Sequence, residues 1–256
     1  MVHFAMVQIV ASESVMVMQA GTVSKKMEIR KHMLLQHIYR NGSIGRLELG
    51  RDLQMSKSRL CEVVQDMIDE GLVVETLDGK ERRGRRPVPL SVNPDYGCFV
   101  GLDFEAKRMR VVVTDFSGRS LFKKHQALRP MKDRKTLIKH LLDFVDKGLE
   151  AARDLNAKVL GVGVAAPGII NRNTGTLLHY DFIEAARDIP LKDLIEERTG
   201  HPCAVDNNIR CYALTEWTSG AAKNMSDFIC LAVRSGFGSA IILNGRPLDG
   251  SHGYSG

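Results

Sequence analysis

The chain has 256 residues, 44% of them hydrophobic, which is enough to bury a full core and long enough to favour two domains over one. Its formal charge of +6 arises from 36 basic against 30 acidic side chains, a surplus too mild to imply a polyanion partner by itself. Five cysteines (Cys61, Cys98, Cys203, Cys211, Cys230) form no C-x-x-C pair, so no zinc knuckle or disulfide framework is visible, and reduced thiols in a cytoplasmic protein are expected.

Residues 1–21 are apolar and methionine-rich, but they lack a basic start and are interrupted by Gln8, Glu13 and Gln19. They fit a signal peptide or a membrane span poorly, and residues 1–24 are expected to be a disordered extension. Over residues 25–40, Ile29, Met33, Leu34, His37 and Ile38 recur at helical spacing, and Asn41-Gly42 ends the run. Ser43 is expected to cap a short second helix carrying Leu47 and Leu53. After only Gln54-Met55, Ser56 is expected to cap a third helix, whose stripe of Leu60, Val63, Val64, Met67 and Ile68 stops at Gly71.

Two helices joined by so tight a turn predict a helix-turn-helix. Ser56, Lys57, Ser58 and Arg59 then stand where a recognition helix offers donors to base edges and phosphates, against the alternative of an ordinary solvated helix start. Leu72-Val73-Val74-Glu75, the turn signal Asp78-Gly79 and residues 88–92 predict a hairpin wing. On its returning side, Arg83-Gly84-Arg85-Arg86-Pro87 resembles the short arginine-glycine-proline hooks that enter narrow minor grooves. Residues 25–90 hold 14 Lys/Arg against 10 Asp/Glu, a surplus of four out of the whole chain's six. They are therefore expected to be a winged helix-turn-helix domain that binds double-stranded operator DNA.

From residue 91 the pattern changes to α/β. Valine-rich runs at 97–104 and 109–116 and a polar-alternating run at 119–125 predict an antiparallel start. A long helix over 133–154, with Leu137, Leu141, Val145 and Leu149 on one face, leads to a buried strand at 159–165. Then come Ala166-Pro167-Gly168, the Asn173-Thr174-Gly175 turn, a helix over 191–199 stopped by Gly200 and a strand at 203–206. Asn207 is expected to cap a helix that runs to Gly220, followed by a strand at 228–233, the glycine-rich Ser235-Gly236-Phe237-Gly238 and a hairpin through Asn244-Gly245.

In their order and spacing these pieces resemble the ROK family of repressors, open reading frames and sugar kinases, specifically its repressor branch with an N-terminal winged helix. The matching pieces are the run Gly161-Val162-Gly163-Val164-Ala165-Ala166-Pro167-Gly168, Asp206-Asn207-Asn208, Ser235-Gly236-Phe237-Gly238 and Gly250-Ser251-His252-Gly253-Tyr254-Ser255-Gly256. The resemblance implies an actin-like (ribonuclease H-like) two-lobed sugar-kinase fold, with residues 91–205 as its first lobe and 206–256 as the start of a truncated second lobe. It also implies a sugar or sugar phosphate effector, with Gly168, Asn207 and Asn208 as sugar ligands, and a homo-oligomer, dimeric or larger, with no membrane partner.

The departures from the family's kinases point away from catalysis. Where kinases have an Asp-x-Gly-Gly-Thr phosphate loop, this chain reads Asp103-Phe104-Glu105-Ala106-Lys107, which lacks both glycines and adds a carboxylate. Asn208 stands in place of the general-base aspartate, a loss that typically costs about 10²–10⁴ in rate. Arg234 stands where the second phosphate loop begins with glycine, and Asp181, Phe182 and Glu184 fall in the connection that contributes to the sugar pocket. No catalytic residue is therefore assigned. The chain stops before the Glu-x-Gly-His segment and the zinc cysteines, so no metal or cofactor is expected within it, and zinc only if the protein continues past residue 256. The expectation is a sugar-responsive repressor without kinase activity. The alternatives are a sugar kinase with an appended helical domain, and a truncated product that binds DNA constitutively or pairs with a full-length relative.

Overall fold

The computed structural model describes residues 22–76, 88–129, 133–234 and 236–250. The described residues divide into two compact units, one ending at Tyr96 and the other starting at Gly97.

The first unit has helix α1 (Thr22–Asn41), strand β1 (Ile44–Gly45), helices α2 (Arg46–Asp52) and α3 (Lys57–Asp69), strands β2 (Val73–Glu75) and β3 (Pro89–Val92), and a 3₁₀ turn at Pro94–Tyr96. Its sheet has the order β1-β3-β2 and is antiparallel throughout. Leu34, Ile38, Leu49, Leu60, Val63, Val64, Met67, Val73 and Leu90 form its core, so α3 buries four residues of the stripe read from the sequence, while Ile68 is only half-buried. The turn between α2 and α3 is closed by Gln54 at φ +51° and by the Met55 N–H donating to the Gly50 carbonyl. A side chain at Gly50 would press on Leu60, so this glycine lets the two helices approach closely.

Several local expectations are corrected. Ile29 and Met33 lie about half exposed, because Lys31 takes the inward position on α1 beside Leu34 and Ile38. Lys31 is neutralised by Glu70, with Asp66 and Glu28 near 4 Å. A search for apolar spacing passes over such a lysine. Ser43 does not cap α2; Gly45 holds that position, because Ile44-Gly45 pairs with β3. Leu47 is exposed and Leu49 buried. Ser56 does occupy the N-cap of α3 but makes no side-chain capping bond.

The second unit is built on a five-stranded sheet of order β11-β7-β4-β5-β6. Strands β4 (Cys98–Glu105), β5 (Arg108–Asp115) and β6 (Ser120–Ala127) are antiparallel neighbours, whereas β7 (Val159–Ala166) and β11 (Cys203–Asn207) run parallel to β4. Every residue of β4 is buried, as befits a central strand covered on both faces. Exposed Lys123 and Lys124 on β6 blunt the sheet edge. Helix α4 (Arg134–Asp154) is capped by Asp133 and packs on the sheet at Gly148, where a Cβ would strike Val100 and Val111.

Beyond β7 the chain makes a small antiparallel sheet that sequence periodicity did not anticipate, from β8 (Ile169–Asn171), β9 (Thr176–His179) and β10 (Arg187–Pro190). Helix α5 (Leu191–Thr199) ends at Gly200 with φ +70°. Helix α6 (Asn208–Ser219) carries a second core of Ile209, Cys211, Tyr212, Ala213 and Leu214, which is shared with Ala240 and Ile242 of a last antiparallel sheet. That sheet is β12 (Phe228–Val233), β13 (Phe237–Leu243) and β14 (Arg246–Pro247), with its last turn at Asn244-Gly245, both in positive φ. Among the described residues, no helix is long and apolar enough to cross a membrane.

Candidate functional site

Strands β4, β7 and β11 run parallel and end together at Glu105, Ala166 and Asn207. The crevice beyond the carboxyl ends of parallel strands is where open α/β sheets bind ligands. A cavity of about 310 Å³ lies there, and Glu105, Gly168, Asn207, Asn208 and Arg234 all line it.

Each wall residue has a local cause. Gly168 has φ +79°, and a Cβ on it would overlap the His179 carbonyl oxygen and Tyr180, so only glycine fits the turn from β7 into β8. Asn207 is the N-cap of α6. Its Oδ1 accepts from the N–H groups of Ile209 (2.8 Å) and Arg210 (3.2 Å), and its Nδ2 donates to the Gly168 carbonyl at 2.9 Å. Asn207 therefore fixes both the helix start and the glycine turn, and keeps a single amide hydrogen for a ligand. Asn208 differs: it is 5% exposed, lines the cavity, and its side-chain amide has no hydrogen-bond partner among the described residues. Among the described residues the buried side-chain polar atoms without a partner are Thr114 Oγ1 and His179 Nδ1, so the Asn208 amide opens onto the cavity, where it can meet a ligand hydroxyl.

Around these residues, two clusters of charge form the walls. In one, Asp206 accepts from Arg210 Nε at 2.9 Å and from the backbone N–H of Asn207 at 2.7 Å, with Arg172 at 4.0 Å. Asp249 closes the ring, at 2.7 Å from Arg210 and 3.0 Å from Arg172. Burial pushes the Asp206 carboxyl above the usual range, while Arg210 and Arg172 pull it back. With two guanidiniums and a backbone N–H facing it, we read it as ionised.

The second cluster joins β4, β5, α6 and β12. Register pairs Asp103 with Arg110 and Glu105 with Arg108 across the β4–β5 hairpin, so two acids and two arginines share one face. Arg110 Nε donates to Asp103 at 2.6 Å, and its Nη2 donates to the Tyr212 hydroxyl at 2.9 Å and to Glu105 at 3.4 Å. Tyr212 in turn donates to Asp103 at 3.0 Å. Burial, with the charge of Asp103, pushes the Tyr212 phenol well above its ordinary value, which keeps it a donor at neutral pH. Arg234 pairs with Glu105, donates to the Tyr212 hydroxyl at 3.1 Å and lies 4.7 Å from the centre of that ring.

The predicted sugar residues Gly168, Asn207 and Asn208 are thus brought together, with Asp181 and Phe182, whereas Glu184 is exposed and lies off the cavity wall. The segment at Asp103-Phe104-Glu105-Ala106-Lys107, read from the sequence as a degenerate phosphate loop, is a strand end and the two-residue turn of a hairpin. Arg172, His179 and Arg210 line the cavity, and Arg110, Tyr212 and Asp249 bond to residues that do; the sequence reading singled out none of the six. In the other unit, Ser56, Lys57, Ser58 and Arg59 are all exposed at the start of α3. The predicted DNA hook Arg83, Gly84, Arg85 and Arg86 lies outside the described residues.

An α/β sheet with a ligand crevice at the ends of its parallel strands, followed by a second, smaller sheet, is the arrangement of an actin-like sugar-kinase fold. The chain belongs to the ROK family, whose model matches residues 99–256. It is 30% identical over 229 residues to the xylose repressor of Caldicellulosiruptor bescii, covering 90% of this chain and 57% of that protein. Its fold matches a ROK family transcriptional regulator homologous to the E. coli MLC protein (TM-score 0.73, 22% identity, 89% of this chain and 57% of that one). It also matches a ROK family glucokinase from Streptomyces griseus in complex with glucose and AMPPNP (TM-score 0.54, 28% identity, 61% of this chain and 48% of that one). The chain therefore spans a little over half the length of the repressor it resembles.

Proposed function

We propose that this protein is a sugar-responsive transcriptional regulator, acting as a repressor of carbohydrate-metabolism genes and lacking kinase activity. The observation that carries the DNA-binding half is the exposed run Ser56, Lys57, Ser58, Arg59 at the first turn of α3, on a helix whose opposite face is fully packed and which follows α2 after a four-residue turn. With the antiparallel strands β2 and β3 beyond it, we read residues 25–90 as a winged helix-turn-helix, with α3 in the major groove and Arg83, Gly84, Arg85 and Arg86 in the minor groove. The likeness to a xylose repressor over 90% of the chain supports the same reading.

The sensing half rests on the cavity. Asn208 offers an unpaired amide and Asn207 one remaining N–H, both suited to sugar hydroxyls. The rival kinase reading is disfavoured because Asn208 cannot accept a proton at neutral pH, and because Glu105 and Arg234 are bonded to each other rather than left open for a nucleotide. Sugar binding would shift the balance between two states with different affinity for operator DNA in a homo-oligomer.

A gel-shift titration against the gene's own upstream DNA tests this. Lys57→Ala and Arg59→Ala should each weaken binding and shallow the log K against log salt slope by roughly 0.9 per lost phosphate contact. A slope unmoved by both changes would remove α3 from the interface, and retention of the shift across a panel of sugars would remove the sensing half.

A further inference from the structure

The two faces of the last sheet differ. One packs on α6 through Cys230, Ala232, Ala240 and Ile242. On the other, cross-strand register puts Ile229 beside Ile241, Leu231 beside Ser239 and Val233 beside Phe237, and Leu243 follows at the next outward position. Ile229 is 61% exposed there, Leu231 62%, Val233 78%, Phe237 72% and Leu243 48%. Neither β12 nor β13 contains a charged residue, and charge begins only at the margin, with Arg246 opposite Leu243 on β14. A strand that faces water looks different in this same chain: the exposed residues of β6 include Lys123, Lys124, His125 and Gln126.

We infer that the outer face of β12 and β13 is the contact surface for a second copy of this chain, the two sheets stacking about a two-fold axis. Five side chains at these exposures leave on the order of 500–600 Å² of apolar surface on each copy, at the top of what a monomer usually keeps in water. Two such faces together bury about 1,000–1,200 Å², the size at which specific interfaces begin. A face without charge has nothing to repel its own image, so it is complementary to itself, as a two-fold contact requires. A foreign protein would find only the Ser239 hydroxyl by which to be recognised, whereas interfaces between identical copies are the more apolar class. Pleated faces stack about 10 Å apart with their strands within about 30° of each other, which lets Ile229, Leu231 and Val233 interlock across the axis. Phe237 also lines the cavity, so the contact surface and the ligand site share a residue. Such a contact is the surface for the homo-oligomer proposed above, and it needs neither operator DNA nor a sugar to form.

Sedimentation velocity of the 256-residue chain over a range of loading concentrations provides the test. The unaltered protein should pass from monomer to a dimer at which association saturates. Leu231→Lys and Val233→Lys each put an unpaired charge inside the stacked faces, and each should raise the dimer dissociation constant by at least about tenfold. Leu155→Lys, at an apolar residue 49% exposed at the end of α4, should leave that constant unchanged. Leu231→Ser serves the same comparison if a lysine variant does not fold. A native chain that stays monomeric at every concentration would overturn the proposal, and so would a dimer that both face variants leave intact. Association that runs on past the dimer without saturating would rule out the two-fold contact. Association seen only when a longer ROK repressor is added would give the face to a different chain, and the self-contact would be wrong.

Discussion

Asn207 and Asn208 are adjacent and chemically identical, yet the structure assigns them opposite duties. Asn207 uses its side-chain oxygen on two helix N–H groups and one amide hydrogen on Gly168, so it holds the site together. Asn208 makes no such bond and faces the cavity. Asn207→Ala should therefore lower stability by about 1 kcal/mol, the usual loss for a cap, and weaken ligand binding indirectly through the freed glycine turn. Asn208→Ala should leave the urea midpoint nearly unchanged, since it removes an amide that opens onto the cavity and bonds no protein group, while sugar affinity falls. Urea unfolding beside calorimetric titration separates the two; matching losses of stability in both would contradict the division. The cap was legible in the sequence, because asparagine before an apolar helical run is a start signal, and so was the turn at Pro167-Gly168. The idleness of Asn208 was not, because it depends on what surrounds the residue in space. Tyr212 and Arg234 were invisible as partners of Asp103 and Glu105 for the same reason: more than a hundred residues of chain separate them.

At the scale of elements, periodicity located most helices and the central strands, and failed where a charged residue faced inward. Lys31 lies on the buried stripe of α1, with Glu28, Asp66 and Glu70 around its ammonium, and it ties α1 to α3. Burial opposes its charge, but the hydrogen bond and charge of Glu70, with Glu28 and Asp66, outweigh that and raise its pKa. The sign follows directly: a raised folded-state value stabilises the fold below the usual lysine range, and that contribution is lost as pH rises through the folded value. Lys31→Met should cost about 1–2 kcal/mol at neutral pH, less than the ~3–5 kcal/mol for breaking a fully buried pair, because its acid partners are nearly half exposed. The same variant should flatten the loss of stability in the alkaline limb of a pH–urea series. An unchanged alkaline limb would show that Lys31 does not link α1 to α3. The hairpin at Ala106-Lys107 offers a second lesson. Counted in twos back from that turn, Asp103 and Glu105 fall opposite Arg110 and Arg108, so the cross-strand pairs were available to a reading that took the segment as strand rather than loop.

At the scale of the whole molecule, the cavity carries a balance of charge that bears on which effector it accepts. Its lining holds three guanidiniums, Arg172, Arg210 and Arg234, and three carboxylates, Glu105, Asp181 and Asp206. Every guanidinium is already paired: Arg234 with Glu105, and Arg172 and Arg210 with Asp206 and Asp249. A phosphorylated sugar would have to shed its water beside carboxylates that already hold the local positive charge, whereas an uncharged sugar would need only the hydroxyl partners that Asn207 and Asn208 supply. Unphosphorylated pentoses or hexoses should therefore bind at least about tenfold more tightly than their phosphates, a difference of about 1.4 kcal/mol. Isothermal titration with matched pairs of free and phosphorylated sugars reads this directly. Asp249→Asn, at a half-exposed position, frees part of the charge on Arg172 and Arg210 and should narrow the gap. Equal or tighter binding of the phosphates by the native protein would mean that the paired arginines open to meet a ligand, and that the balance seen in the free protein does not set its selectivity.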